Sequence, residues 1–201
     1  MLIEDGFIRA ADDCIAIKGF SEKGGYDNAA NPRDYPPAER IRVRKCVLWA
    51  DANCAMNIGT ETMARRFYDI VFEDCDVLYQ RDPGDAAAIG LRVRWSTEVG
   101  KLRYENIRVE RCASLFSWWF PETIFGEKAG NHSWPGGVSG IVVKNLTVLK
   151  PGCTSRIHGW NAEQRIQDVT VENLVIGGKH ILRPEDAEIS LNQFTTGIVF
   201  K

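Results

Sequence analysis

Hydrophobic and polar residues alternate in short segments that recur along the chain. Each segment has an aliphatic residue, any residue, an aliphatic residue or Phe, two polar residues, and then Cys or Leu. The copies lie at 41–46, 70–75, 107–112, 141–146 and 169–174, and their starts are 29, 37, 34 and 28 residues apart. Alternation with a period of two is typical of a strand with one buried face. We therefore predict that each repeat opens with a strand.

Two further observations extend this repeat. Residues 1–6 form a degenerate copy, with Ile3 and Gly6 in the places of the second aliphatic residue and of Cys. A second apolar alternation follows the first three copies, at Ile15 and Ile17, at Met56 and Ile58, and at Ile89, Leu91 and Val93. Repeats of this length, with several short strands each, predict an all-β chain folded as one parallel β-helix (solenoid) of about six coils over residues 1–201.

Other readings of the same patterns are weaker. A sandwich or a flat antiparallel sheet needs hairpins, and Asp5-Gly6 is the sole Asn-Gly or Asp-Gly dipeptide in the chain. Residues 60–71, with Met63, Phe67 and Ile70 at helical spacing, offer a short helix as an alternative to a strand.

Cysteine ends three of the repeat copies. Cys46, Cys75 and Cys112 are followed at the same position by Leu146 and Leu174. Because Leu replaces Cys there, we predict a ladder of free, unreactive thiols inside the solenoid.

Composition and charge exclude several classes of partner. The chain has 25 Lys and Arg residues against 27 Asp and Glu, so it lacks the positive surface that nucleic-acid binding needs. No apolar run approaches the ~20 residues that span a bilayer, and we expect neither a membrane partner nor a signal peptide, leaving the localisation undetermined. Three scattered His residues and the lack of a C-x-x-C pair predict no metal site and no cofactor.

Three long loops are expected, at residues 20–39, 80–86 and 120–137. The third contains Phe120, Phe125, His132 and Trp134 and follows Trp118 and Trp119. These aromatic residues either form a wall that binds sugar rings or build a small core that holds the loop.

The strongest chemical signal is the pair Asp12 and Asp13, which precedes an apolar strand. Adjacent carboxylates are costly, and catalysis uses such pairs as a general acid and a general base. The alternative is a turn or strand cap before Cys14. Neighbours on a regular strand point to opposite faces, so both carboxylates reach one cleft only where the chain bends.

Three motifs occur in the order typical of one enzyme family. They are Asp12-Asp13-Cys14-Ile15-Ala16-Ile17-Lys18, then Asn53-Cys54-Ala55-Met56-Asn57-Ile58-Gly59-Thr60, then Arg92-Val93-Arg94. In this order the chain resembles a C-terminal portion of the polygalacturonase-type glycoside hydrolases of family 28. That resemblance implies a right-handed, pectin-lyase-like parallel β-helix. It also implies an inverting hydrolase in which Asp12 protonates the leaving oxygen and Asp13 activates water.

The chain departs from this family at several positions. The family's His is Cys54, the Lys of its basic motif is Arg94, and its Asn-Thr-Asp motif would lie one coil before Asp12, where we expect the chain to lack it. Glu61 and Asp51 are candidates for the missing carboxylate. Arg92 and Arg94, two apart on one strand, would share a face and bind a substrate carboxylate, unless they form a solvated strand face.

These residues support one leading function and several alternatives. We predict hydrolysis of a polysaccharide that contains uronic acids, such as pectin, with Cys54, Glu61, Arg92, Arg94, Trp118, Trp119 and Trp134 contacting substrate beside the catalytic Asp12 and Asp13. A non-catalytic carbohydrate-binding protein, a dextranase-like hydrolase of family 49 and a calcium-dependent polysaccharide lyase are alternatives. Because Leu2 begins an uncapped strand, we also expect a homo-oligomer formed through the N-terminal coil.

Overall fold

The computed structural model describes residues 1–19, 32–62, 64–94, 96–124, 127–128, 136–150 and 154–201. Within these ranges the chain is all-β, with two short 3₁₀ helices at Pro32–Asp34 and Pro184–Ala187 and no α-helix. The helix considered for residues 60–71 is wrong, because a strand starts at Arg66. No helix in the described ranges is long and apolar enough to cross a membrane.

Nineteen strands are present in the described residues, numbered in chain order. The first ten are β1 (Leu2–Glu4), β2 (Phe7–Ala10), β3 (Ile15–Ile17), β4 (Ala38–Arg44), β5 (Val47–Ala50), β6 (Met56–Gly59), β7 (Arg66–Glu73), β8 (Asp76–Gln80), β9 (Ile89–Arg92) and β10 (Glu98–Val109). The other nine are β11 (Ser114–Trp119), β12 (Thr123–Ile124), β13 (Glu127–Lys128), β14 (Gly137–Val148), β15 (Thr154–His158), β16 (Ile166–Ile176), β17 (Lys179–Ile181), β18 (Ile189–Leu191) and β19 (Thr195–Phe200).

Two large sheets are built almost entirely from parallel neighbours. The first sheet runs β1-β4-β7-β10-β14-β16 with β19 beside β16, and β2, β5 and β8 extend it. The second sheet runs β3-β6-β9-β11-β15-β18. The hairpin strand β17 is antiparallel to β16, and β12 pairs with β13 in a separate antiparallel sheet. Neighbouring strands in each large sheet come from successive repeats of the sequence. The predicted repeats therefore lie side by side in both sheets.

The strand register confirms four of the five repeat copies and also the degenerate one. Ile41 lies opposite Ile70, Ile141 lies opposite Val169, and Ile3 lies opposite Val43. The copy placed at 107–112 is wrong by five residues, because Leu102 lies opposite both Ile70 and Ile141. That repeat therefore occupies 102–107.

Side chains from the two large sheets meet in one core. Val43, Phe72 and Tyr104 of the first sheet and Leu91 and Trp118 of the second are almost completely buried. The ring centroids of Tyr104 and Trp118 are 6.4 Å apart, which joins the sheets directly. Full burial of one such apolar side chain stabilises a fold by roughly 1.5–3 kcal/mol, so the alternating pattern fixes which face of each strand turns inward.

A ladder of one Asp and three Asn side chains marks the same bend in four successive repeats. Asp74, Asn106, Asn145 and Asn173 all have a positive φ, between 53° and 56°. Each asparagine donates its Nδ2 to the residue before it in this series, over 2.8–2.9 Å. Asn and Asp tolerate the left-handed conformation better than other residues with a side chain. The first sheet therefore turns at one position in every repeat.

The cysteine prediction is confirmed in part. Cys46, Cys75 and Cys112 are buried cysteines that form no disulfide within the described residues. Cys46 and Cys75 occupy one row, since Asp76 N, next to Cys75, donates to Cys46 O over 2.9 Å. The third member of that row is Ile107, which lies opposite Leu146, whereas Cys112 pairs with Gln80. The ladder position of Cys112 is therefore wrong, for the same five-residue error.

At the N-terminal coil, β1, β2 and β3 each pair with one neighbour within the described residues, namely β4, β5 and β6. Met1, Leu2 and Phe7 are exposed there. Unpaired edges of this kind favour strand addition. Self-association through this coil stays a prediction.

Candidate functional site

Asp12 and Asp13 lie in the bend between β2 and β3, where the chain passes from the first sheet to the second. Asp12 is exposed and Asp13 is half-buried. Asp12 Oδ1 accepts hydrogen bonds from Asp13 N (2.8 Å) and Asn53 Nδ2 (2.7 Å). Asp13 Oδ1 accepts from Cys54 N (2.9 Å), and Asp13 Oδ2 accepts from Asn57 Nδ2 (2.7 Å). Different donors therefore hold the two carboxylates.

The second sheet supplies the partners of Asp13. Ala16 of β3, Asn57 of β6 and Gly90 of β9 lie opposite one another. Asn57 is the polar residue between the buried Met56 and Ile58, so its side chain leaves the core on the side of Asp13. A Cβ on Gly90 would lie 2.6 Å from both Asn57 Oδ1 and Cys54 Sγ. Gly90 is therefore what lets these two side chains pack beside the carboxylate.

Sequence reasoning missed Asn53 and Asn57 as site residues. The available signal was the polar residue at the outward position of an otherwise apolar strand, Met56-Asn57-Ile58, in the repeat that follows Asp13. Asn53 has a φ of 57° and its N–H donates to Asp82 Oδ2 over 3.1 Å. This turn orients the Asn53 amide toward Asp12.

Arg92 and Cys54 lie next to this cluster. Arg92 Nη2 is 3.5 Å from Cys54 Sγ, and Arg92 is 9% exposed. Burial raises the pKa of the Cys54 thiol to about 12, although the positive charge of Arg92 opposes the rise. Cys54 is therefore a neutral thiol near neutral pH and cannot act as a nucleophile.

Lys18 and Glu61 form an ion pair across β3 and the residues that follow β6. Burial by itself raises the pKa of Glu61, but the hydrogen bond from Lys18 and the charges of Lys18 and Arg92 outweigh it and leave the pKa below its usual range. Glu61 is thus a carboxylate on the same side of the sheet as Arg92, and its side chain is engaged by Lys18.

Two predicted substrate contacts do not face the candidate site. Trp118 is 0% exposed, lies in the core, and donates its Nε1 to Ile89 O over 3.1 Å. Arg94 is also 0% exposed, and β9 ends at Arg92, so strand alternation does not extend to Arg94. We therefore remove both residues from the set that contacts substrate. Trp134 lies outside the described residues.

Trp119 points away from the core on the same face as Arg92. Arg92, Trp119 and His158 lie opposite one another on β9, β11 and β15. Trp119 borders a pocket of about 460 Å³ that is also lined by Arg156, His158 and Trp160. Arg92 and Trp119 are thus neighbours on one face of the second sheet, several strands from Asp13, and a pocket that the sequence did not reveal lies beside them.

A second cavity of about 420 Å³ lies on the outer face of the first sheet. Two arginines in its lining form ion pairs, Arg33 with Glu98 (3.3 Å) and Arg66 with Glu39 (2.6 Å). The Tyr68 ring at its wall has Arg66 and Lys101 each 5.0 Å from its centroid. Asp12 and Asp13 line neither cavity.

The described residues contain no group of three or more His, Cys, Asp or Glu side chains placed to hold a metal ion. Asp51, considered as a replacement for the missing carboxylate, pairs with Arg9 over 2.7 Å and accepts from Trp49 Nε1. The hydrogen bond from Arg9 lowers the pKa of Asp51. The Asp51 carboxylate is therefore occupied by Arg9 and Trp49, which argues against a role in catalysis.

No model of a known protein family matches the chain, and no curated protein or solved structure matches it. A functional proposal must therefore be argued from the geometry of the site.

Proposed function

We propose that the chain is a right-handed parallel β-helix of the polygalacturonase-like type. The parallel pairing of successive repeats in both sheets supports this fold, because successive coils then add strands to both sheets. A right-handed path is expected, since parallel strands joined by a crossover are right-handed in nearly all cases. On this fold the outward face of the second sheet is a continuous surface for an extended ligand.

We propose further that this face hydrolyses glycosidic bonds of a polysaccharide. The observation that carries the proposal is the unequal surroundings of two adjacent carboxylates. Asp13 accepts one hydrogen bond on each oxygen, whereas Asp12 is exposed and its Oδ2 accepts none from the described residues. Asp12 would protonate the leaving oxygen and Asp13 would orient and deprotonate water, the division of labour in an inverting glycosidase.

Arg92 supports an acidic substrate such as a polymer of uronic acids. Its guanidinium is almost buried beside Cys54, which is neutral, and its charge also reaches Glu61. A cation that is paired with a neutral thiol is a favourable partner for a sugar carboxylate at the exposed edge of the guanidinium.

A specific observation also favours a second candidate, a carbohydrate-binding protein without catalysis. Both oxygens of Asp13 already accept hydrogen bonds, and Glu61, the carboxylate closest in role to the family's third one, is held by Lys18. A site of this kind would retain a sugar-binding face and lose water activation.

Product formation from a panel of polysaccharides tests these candidates. The chain is incubated with polygalacturonate, methyl-esterified pectin and dextran, and new reducing ends are counted. Hydrolysis of polygalacturonate by the chain, with a fall of at least ~10²-fold in kcat for Asp12→Asn and for Asp13→Asn, is the expected result. Asp5→Asn, a change at an exposed acidic residue whose side chain makes no hydrogen bond with a described residue, is the matched control.

Each alternative has its own outcome in this assay. Cleavage of dextran alone would favour the dextranase-like hydrolase. Unsaturated products that disappear on adding a calcium chelator would favour a lyase. Binding of polygalacturonate without new reducing ends would favour the non-catalytic protein and refute the hydrolase.

A further inference from the structure

The pocket beside Trp119 lies on the same sheet face as the Asp12–Asp13 pair but several strands away. Trp119 is on the strand next to Arg92, and His158 is on the strand after that. Neighbouring strands are ~4.8 Å apart, so the pocket is separated from Asp13, which precedes β3, by roughly 15 Å across the sheet. A ligand lying across the strands would contact both places.

Two residues of this pocket each carry a buried donor without a partner among the described residues. Trp119 Nε1 and Arg156 Nε are each buried and make no hydrogen bond with the part of the chain that the structure describes. Both residues line the pocket. An unsatisfied buried donor is destabilising, and such groups in native proteins are normally satisfied by protein, water or ligand. Because these two atoms have almost no accessible surface, a ligand that presents oxygen acceptors would satisfy them after a small movement of either side chain.

The charges around the pocket disfavour an anionic ligand. Among the described residues of the lining, Arg156 is the one Arg or Lys, and its Nη2 already forms an ion pair with Asp85. Burial and the charge of Arg156 lower the pKa of His158, so its imidazole is neutral near neutral pH. Glu122 adds a negative charge to the lining. Since no unpaired cation remains there, a carboxylate would gain no ion pair in this pocket.

The size and the aromatic lining fit a sugar ring. The volume of about 460 Å³ lies in the range of small-molecule sites. Trp160 is half-buried at the wall, and Trp119 has the Arg156 guanidinium 4.2 Å from the centroid of its ring. Aromatic rings cover the apolar C–H face of a sugar while its hydroxyl groups meet polar atoms.

We propose that this pocket is a binding subsite for a neutral sugar residue, whose hydroxyl oxygens accept hydrogen bonds from Trp119 Nε1 and Arg156 Nε. The inference rests on the proposed function in taking the ligand to be a polysaccharide. It goes beyond that function by assigning two kinds of unit to one ligand: an acidic unit at Arg92 and an uncharged unit, neutral or esterified, at Trp119.

Calorimetric titration of three probes tests the subsite. The full chain carrying Asp12→Asn, which prevents turnover, is titrated with galactotriose, trigalacturonate and fully methyl-esterified trigalacturonate. The last two differ only in charge. Trp119→Phe keeps the ring and removes the N–H, and Arg156→Lys keeps a cation for Asp85 and removes Nε. Trp49→Phe, whose indole N–H bonds Asp51, is the matched control.

We expect Trp119→Phe and Arg156→Lys each to weaken binding of the two uncharged probes about five- to tenfold, and Trp49→Phe to leave it unchanged. Urea unfolding of each variant verifies that the fold is intact. Failure of the uncharged probes to bind, or equal affinity in Trp119→Phe, would overturn the subsite. Uncharged probes that bind through Trp119, together with polysaccharides that are never cleaved, would refute the hydrolase and leave the subsite standing.

Discussion

Asn57 Nδ2 donates a 2.7 Å hydrogen bond to Asp13 Oδ2, so a buried amide of β6 holds a carboxylate that precedes β3. The same Nδ2 donates to Gly59 O over 3.0 Å, while Asn57 Oδ1 is buried without a partner. Both hydrogen bonds of the Asn57 side chain are therefore donated by its N–H groups. An aspartate has the same shape but has no N–H group, so it could not make these bonds.

Asn57→Asp should accordingly destabilise the protein strongly at neutral pH. The substitution places a second carboxylate against Asp13 in a buried position and removes its donor, at an expected cost of ~2–4 kcal/mol. Like-charge repulsion raises the pKa of the new group above its value in the unfolded chain. The loss should therefore shrink as the pH falls through that raised pKa. Urea unfolding at pH 7 and pH 5 measures both quantities.

Asn161→Asp is the control for this experiment. Asn161 Oδ1 accepts hydrogen bonds from Glu163 N and Gln164 N, both 2.8 Å, and a carboxylate can accept the same bonds. The assigned orientation of the Asn57 amide would be contradicted if both variants lost the same free energy of unfolding. It would also be contradicted if the free energy lost in Asn57→Asp did not change with pH.

The Lys18–Glu61 pair predicts a second pH dependence. Hydrogen bonding and charge from Lys18, with the charge of Arg92, outweigh burial and lower the folded-state pKa of Glu61. A lowered pKa stabilises the fold above the unfolded-state pKa, near 4.3 for Glu, and this contribution is lost as the pH falls through the folded-state value.

We therefore expect Glu61→Gln to lower the free energy of unfolding by about 1 kcal/mol at pH 7. The difference from the parent chain should vanish at acidic pH, as followed by urea unfolding between pH 3 and pH 7. Glu163→Gln, at an exposed Glu that forms no ion pair with a described residue, should change stability little at any pH. A constant difference for Glu61→Gln over the whole range would argue against the ion pair.

The sequence allowed the strands to be predicted where alternation is unbroken. Ile3, Val43 and Ile15 lie in the rows expected of them because a residue on the wrong face would expose an apolar side chain. The third repeat was misplaced because β10 is long and continues past its bend, so residues 102–107 and 107–112 both alternate. Asn106 was the discriminating signal, since the bend needs a positive φ and most of the other repeats place Asp or Asn there, with Lys45 as the exception.

The candidate site was predictable only in part, for a related reason. The Asp12–Asp13 pair is visible in one segment of sequence, but its partners Asn53 and Asn57 come from the next repeat and become neighbours only through the register of β3 and β6. Trp118 and Trp119 are consecutive, and composition alone cannot decide which of two such rings enters the core. In β11, Trp118 lies opposite Leu91, in the row of side chains that points into the core, and Trp119 points outward.

The asparagine ladder predicts a graded response at Asn145. Asn145→Ala removes the hydrogen bonds with Asn106 and Asn173 and forces an alanine into a φ of 54°, for a combined cost of about 2–3 kcal/mol. Asn145→Gly removes the same bonds but accepts the positive φ, so it should lose less. Thermal or urea unfolding orders the two variants. An alanine variant at least as stable as the glycine variant would show that the left-handed backbone carries little strain there.

Thiol labelling tests the placement of the cysteines relative to the core. Burial raises the pKa of Cys75 to about 11 and that of Cys54 to about 12, so both are protonated at pH 8 as well as inaccessible. Cys14 is only half-buried, and its pKa is also raised by burial. Because the thiolate is the reactive form, the native chain should label at Cys14 before either of the others.

Mass spectrometry of peptides after timed exposure to iodoacetamide measures each site separately. Cys46, Cys54, Cys75 and Cys112 should remain unmodified in the native chain and react together in guanidinium, at rates set by global unfolding. Labelling of Cys112 ahead of Cys75 would mean local opening at the Gln80 bridge, which joins fewer strands than the Cys46–Cys75 row. Rapid labelling of Cys75 itself would contradict a core shared by the two sheets, because no smaller movement exposes that position.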